Sequence, residues 1–172
     1  MAVKKIVLMG YMGSGKSTVA KLLSEKLHID LIDLDDYIEK KEQSAISDIF
    51  KNNGEIYFRK KEYFYLKQLL DSKTDMILSV GGGTPCYSGN IDLINMSAKS
   101  LYLRSSVQSL YNRLLKEKDQ RPLIAHIPDS ELKEFIARHL FERTVFYEKA
   151  GIIIQTDDKT PQKIVSELIR LI

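Results

Sequence analysis

The sequence predicts an α/β fold in which a parallel sheet is flanked by helices. Two observations predict it. Apolar runs of strand length alternate with helical patterns along the chain, the signature of strands joined by helical crossovers. The first strand–helix pair encloses Gly10-Tyr11-Met12-Gly13-Ser14-Gly15-Lys16-Ser17, a G-x-x-x-x-G-K-S motif in the context a phosphate-binding loop requires.

The elements follow in order. Lys5–Met9 is apolar and of strand length, and Lys16–Leu27 carries Val19, Leu22, Leu23 and Leu27 on one side. Leu31–Asp33 is a second short strand, followed by helical patterns at Asp35–Lys41, Ile46–Asn52 and Glu55–Leu70. Met76–Val80 is the third strand, Ser100–Leu103 the fourth and Ile152–Gln155 the fifth. Helices are expected at Val107–Lys116, Glu131–Lys149 and Pro161–Leu171, the last opened by Thr160 as N-cap and Pro161 in the first position. Lys116 to Pro128 is charged, holds two prolines and separates two helices, so it reads as a loop acting as a lid. With no repeat, linker or low-complexity tract, the 172 residues read as one domain.

Composition narrows the function. Lys and Arg total 26 against 23 Asp and Glu, a net charge of +3. That excess suits a small anionic ligand and is too slight for a nucleic-acid surface. Cys86 is alone, which excludes a disulfide framework and a cysteine metal site. The N-terminal apolar run is short and leads into the glycine motif, so it reads as a strand rather than a signal peptide. No stretch approaches the roughly 20 apolar residues of a membrane span. A cytoplasmic protein without membrane or nucleic-acid partners is expected, and a monomer.

The glycine motif carries the first piece of chemistry. Gly13, Ser14 and Gly15 let successive N–H groups turn around phosphate oxygens, and the new helix adds the free amides of Lys16, Ser17 and Thr18. Lys16 can reach the β- and γ-phosphates of ATP, and the Ser17 hydroxyl can ligate Mg²⁺. Asp33 ends the Leu31 strand and is the expected magnesium carboxylate; Asp35 could accept a proton from a substrate hydroxyl. Capping of the following helix is the plainer role for Asp33, Asp35 and Asp36.

Two arginines lie where charge is rarely put. Arg59 falls in the stripe of Ile56, Tyr63, Leu66 and Leu70, and Arg143 lies roughly 20° from Leu132, among Phe135, Ile136, Leu140, Phe146 and Tyr147. Either both forks grip an anionic substrate, or Arg59 is held structurally by Glu62 at i+3. Gly81, Gly82 and Gly83 close the third strand and let backbone approach a bound molecule, or simply form a flexible turn. Arg121, in the charged segment, could close on the triphosphate or stay solvated, and Arg113 poses the same alternatives. His28, His126 and His139 have no metal spacing, and His139 reads as a core histidine beside Arg143.

Taken together, G-Y-M-G-S-G-K-S at 10–17, D-L-D at 33–35, G-E-x-x-F-R at 54–59, G-G-G at 81–83, R-P-L at 121–123 and E-R-x-x-x-Y at 142–147 resemble the shikimate kinase family over nearly the whole chain. The resemblance implies a five-stranded parallel sheet of the nucleoside monophosphate kinase type with a lid. It implies transfer of the ATP γ-phosphoryl group to the 3-hydroxyl of shikimate, with Mg²⁺ near Asp33 and Ser17. It also implies that Asp35 meets the shikimate hydroxyls and that Arg59 and Arg143 hold its carboxylate. Glu62 then positions Arg59, Gly81 to Gly83 offer backbone to the substrate, and Arg121 is the lid arginine. Gln155 and the residues to Pro161 fall at the adenine loop. A kinase of another acceptor, such as gluconate or a nucleoside monophosphate, would share the glycine motif and lid. A non-catalytic nucleotide-binding module would lack Lys16, Asp35 or Arg121, and all three are present.

Overall fold

The structure, a computed structural model, describes residues 4–87 and 89–172, the Gln120 side chain apart. Five strands form one parallel sheet: β1 (Lys5–Met9), β2 (Leu31–Asp33), β3 (Met76–Ser79), β4 (Lys99–Arg104) and β5 (Ile152–Gln155), in the order β2-β3-β1-β4-β5. β1 is central, pairing Val7 with Leu78 on one side and with Ser100 on the other.

The sheet is buried on both faces, and the period-2 alternation of β1 sorts its side chains between them. Val7 and Met9 join one core with α2 (Leu34–Glu42), α3 (Ile46–Asp71), α4 (Asn90–Ser97), α5 (Val107–Glu117) and α7 (Asp129–Tyr147). Ile6 and Leu8 join the other with α1 (Lys16–Leu27) and α8 (Pro161–Leu171). Leu8 and Leu23 have no exposed surface. Truncating such a residue to alanine typically costs about 2–5 kcal/mol. Among the described residues no helix is long and apolar enough to cross a membrane.

Local signals set the helix ends nearest the sheet's carboxyl edge. Asp33 caps α2, Ser106 caps α5, and Thr160 caps α8 with Pro161 behind it, each through its side-chain oxygen. α1 starts instead from Gly15 in the left-handed region (φ 91).

The separate helical patterns at 46–52 and 55–70 are both present: α3 is two helical stretches that meet at a kink at Gly54 (φ 79, ψ 172), a conformation that glycine alone adopts cheaply. Three expectations are corrected. α4 has no counterpart in the sequence reading, because its Gly89 start and eight residues carry too little periodicity. The segment 116–128 is not an open loop. α5 runs to Glu117, a 3₁₀ turn follows at Lys118–Gln120, and α6 (Pro122–Ala125) sits on the core through Ile124. Ile56 leaves the expected apolar stripe and is 77% exposed; Leu66 and Leu70 of that stripe are buried, joined by Phe58, Glu62 and Leu69.

Candidate active site

Parallel strands put all their carboxyl ends on one edge, where α/β proteins bind ligands. There a cleft of roughly 610 Å³ is lined by Gly13, Ser14, Gly15, Lys16, Ser17 and Thr18, and across from them by Asp33, Asp35, Gly81 and Gly82. The loop is tight at Gly10, where a Cβ would come 2.8 Å from Ser14 Oγ and 2.9 Å from Leu103 O. Lys16 Nζ donates to Gly10 O (2.8 Å) and Tyr11 O (3.1 Å), folded back onto its own loop. Burial pushes its pKa down to about 8, against the opposing pull of Asp35. The Lys16 charge is therefore poorly solvated and ready for an anionic partner. Among the described residues the Ser14 hydroxyl is buried without a hydrogen-bond partner.

The two acids are joined by a cap. Asp33 Oδ1 accepts from Asp35 N (3.0 Å) and Asp36 N (3.4 Å). Asp33 thus has the plainer capping role and still lines the cleft. Asp35 is raised to about 6, first by burial and then by the charges of Asp33 and Glu62, with Lys16 opposing. It is a carboxylate close to neutrality, as proton transfer near pH 7 favours. Asp36 is exposed and does not line the cleft.

The glycine turn gathers the remaining residues one by one. A Cβ on Gly81 would lie 3.2 Å from Asp35 Oδ1, one on Gly82 3.3 Å from Arg143 Nη1, and one on Gly83 3.0 Å from Arg59 Nη2. The turn is free of side chains where it faces three charged groups. Arg59 Nη1 donates to Glu62 Oε2 (2.9 Å), with Tyr87 stacked 4.0 Å from the guanidinium. Burial disfavours the Arg59 charge, and Glu62's charge and hydrogen bond outweigh it. Arg143 lies over the Tyr11 ring at 5.9 Å. Tyr11 in turn bonds His139 Nδ1 at 2.9 Å, so His139 is a satisfied, half-buried histidine. Its pKa is lowered, first by burial and then by Arg143.

On the nucleotide side the expected residues divide. Arg121 reaches the cleft wall, paired with Glu117 at 2.6 Å. Gln155 does not line the cleft. It is exposed at the end of β5, and its amide donates to Asp157, which also caps the start of α5 through Ser106 N. Lys159, Pro161 and Ile164 take that wall instead, facing Arg113, which donates to Gly13 O at 3.1 Å.

Sequence reasoning also missed Thr84, which donates to Glu62 Oε1 at 2.7 Å, and the bond from Tyr147 to Gly82 O. Only the motif around Tyr147 hinted at either. Cys86 is half-buried, its thiol pushed up to about 11 by burial, so it is a poor nucleophile.

The donor set fits a hard divalent cation. Ser17 and Asp33 both line the cleft and carry oxygen donors, and no group of three or more His, Cys, Asp or Glu suited to a metal exists among the described residues. A metal here would complete its coordination with phosphate and water, as Mg²⁺ does in phosphoryl-transfer sites.

Comparison with known proteins points one way. A family model described as shikimate kinase matches residues 12–172. The shikimate kinase of Flavobacterium johnsoniae is 45% identical over 98% of this chain and 99% of its own. The crystal structure of shikimate kinase from Bacteroides thetaiotaomicron superposes with a TM-score of 0.90 at 34% identity, covering 98% of this chain and 97% of that one. A shikimate kinase from Acinetobacter baumannii, in complex with shikimate, gives 0.86 at 29% identity, over 98% and 92%.

Proposed function

The chain belongs to the shikimate kinase family, and from that premise we propose which residues carry the γ-phosphoryl group of ATP to the 3-hydroxyl of shikimate. The amides of Gly13 to Thr18 cradle the ATP phosphates. Lys16 leaves the carbonyls of Gly10 and Tyr11 for the β- and γ-phosphates, where a buried charge finds its counterion. Ser17 and Asp33 would hold Mg²⁺, which would supply charge to offset that of the phosphates.

Shikimate lies against the glycine turn. Arg59 and Arg143 grip its carboxylate, since planar guanidinium forks match carboxylate geometry. Asp35 accepts the hydrogen bond of the 3-hydroxyl and receives its proton as the new P–O bond forms and ADP departs. A loose transition state asks little of this base, so its larger duty is orientation. Arg121 exchanges Glu117 for the transferring group as residues 116–128 close as a lid and exclude water. Arg113 and Pro161 bound the adenine end. We further propose that the protein works as a monomer in the cytoplasm.

The observation carrying this reading is the run Gly81–Gly83, whose three successive residues face Asp35, Arg143 and Arg59. Arg59→Lys and Arg143→Lys test it. Each should raise the KM for shikimate roughly 10–100-fold while the KM for ATP stays within about twofold. Equal loss of both would remove the carboxylate assignment.

A further inference from the structure

Glu62 is 1% exposed, and both of its oxygens are engaged. Oε2 accepts from Arg59 Nη1 at 2.9 Å and Oε1 accepts from Thr84 Oγ1 at 2.7 Å. Thr84 is itself fully buried. Its amide donates to Gly81 O (3.1 Å), closing the glycine turn, and its carbonyl accepts from Asn90 Nδ2 (2.8 Å). One residue therefore shapes the turn with its backbone and occupies Glu62 with its side chain.

A carboxylate beside a guanidinium in a water-poor site tends to take two parallel hydrogen bonds. Glu62, three residues from Arg59 on the same helix, is placed to do so. The Thr84 hydroxyl competes for one of its oxygens. Arg59 consequently gives Glu62 a single nitrogen. Nη2 has only a 3.5 Å contact with Glu55, whose side chain is 53% exposed, and it is the Arg59 atom that a Cβ on Gly83 would meet first, at 3.0 Å.

We propose that Thr84 is a positioning residue for the acceptor: by holding one oxygen of Glu62 it keeps the Glu62–Arg59 pair monodentate and leaves Arg59 Nη2 free for the acceptor carboxylate. Thr84 has this role only if Arg59 grips that carboxylate, as proposed above.

Thr84→Val keeps the branched shape and removes the donor, while Thr84→Ser keeps the donor and removes a methyl. Steady-state kinetics of both, with melting temperatures, separate positioning from packing. Thr84→Val should raise the KM for shikimate about tenfold with the KM for ATP unchanged, and Thr84→Ser should stay within about threefold of wild type for both. A residue that only fills space gives the reverse order, Val being tolerated and Ser impaired, and that result overturns the proposal. Should Thr84→Val fail to fold, Thr84→Ala also lacks the donor and carries the same expectation. Arg59→Lys, measured alongside, separates the two failures. If it raises the shikimate KM and Thr84→Val does not, the positioning role alone falls. If Arg59→Lys has no effect, the carboxylate assignment falls with it.

Discussion

Asp33 Oδ1 accepts the backbone N–H of Asp35 at 3.0 Å, so the two acids at the end of β2 are one device. The bond starts α2, and the start of α2 sets the carboxylate of Asp35 against Gly81. Capping uses one oxygen of Asp33 and leaves the other for the cleft.

The two duties of Asp33 can be separated. Asp33→Asn keeps a capping oxygen but loses the charge; the Mg²⁺ concentration for half-maximal activity should rise about tenfold with the melting temperature nearly unchanged. Asp33→Ala should show the same metal effect and also lose about 1 kcal/mol of stability through the missing cap. Thermal melts beside Mg²⁺ titrations check both, and an Asn variant as unstable as the Ala variant would contradict the division.

The elevated Asp35 predicts a pH profile. In the free enzyme kcat/KM should rise with pH through a midpoint of about 6, as burial and the Asp33 and Glu62 charges dictate. Asp33→Asn removes one of those charges and should move the midpoint down. Asp35→Asn should abolish the inflection and cut kcat roughly 10²–10⁴-fold. Stability moves the other way. Between pH 3.8 and about 6 the folded chain holds the Asp35 proton that the unfolded chain has released, so this group's contribution to stability falls as pH rises through that window. Measured by melting, Asp35→Asn should gain on wild type from pH 4 to pH 7.

Gly83→Ala separates substrate fit from backbone need. Gly83 has φ −86 and ψ −21, which alanine adopts freely, but its Cβ would press Arg59 Nη2 at 3.0 Å. Displacement of the guanidinium should raise the KM for shikimate roughly tenfold, with ATP binding and melting temperature nearly unchanged. A large loss of stability would mean that the turn itself requires glycine.

Much of this was legible in the residues because the signals are local. β1, α1, β2 and β5 end where apolar runs, glycines and acids predict. Arg59 and Arg143 stand out as charges on apolar helix faces, although in the stripe around Arg59 Ile56 faces outward while Leu66 and Leu70 are buried. What stayed hidden depends on residues far apart. Thr84 meets Glu62 across 22 positions and Tyr147 meets Gly82 across 65, and no helical or strand period encodes either pair. Residues 116–128 read as loop from charge and proline, whereas the burial of Ile124 and Ile127 is a tertiary fact. Gln155 lies beside the loop that the sequence pattern marks, and its amide turns to Asp157, a pairing the sequence does not announce.

The most direct test is a crystal structure of this protein with shikimate and ADP. The carboxylate should be hydrogen-bonded to both Arg59 and Arg143 beside Gly81–Gly83, with the 3-hydroxyl on Asp35 and facing the phosphate cradle. A carboxylate bound elsewhere, or a 3-hydroxyl out of reach of Asp35, would contradict the account.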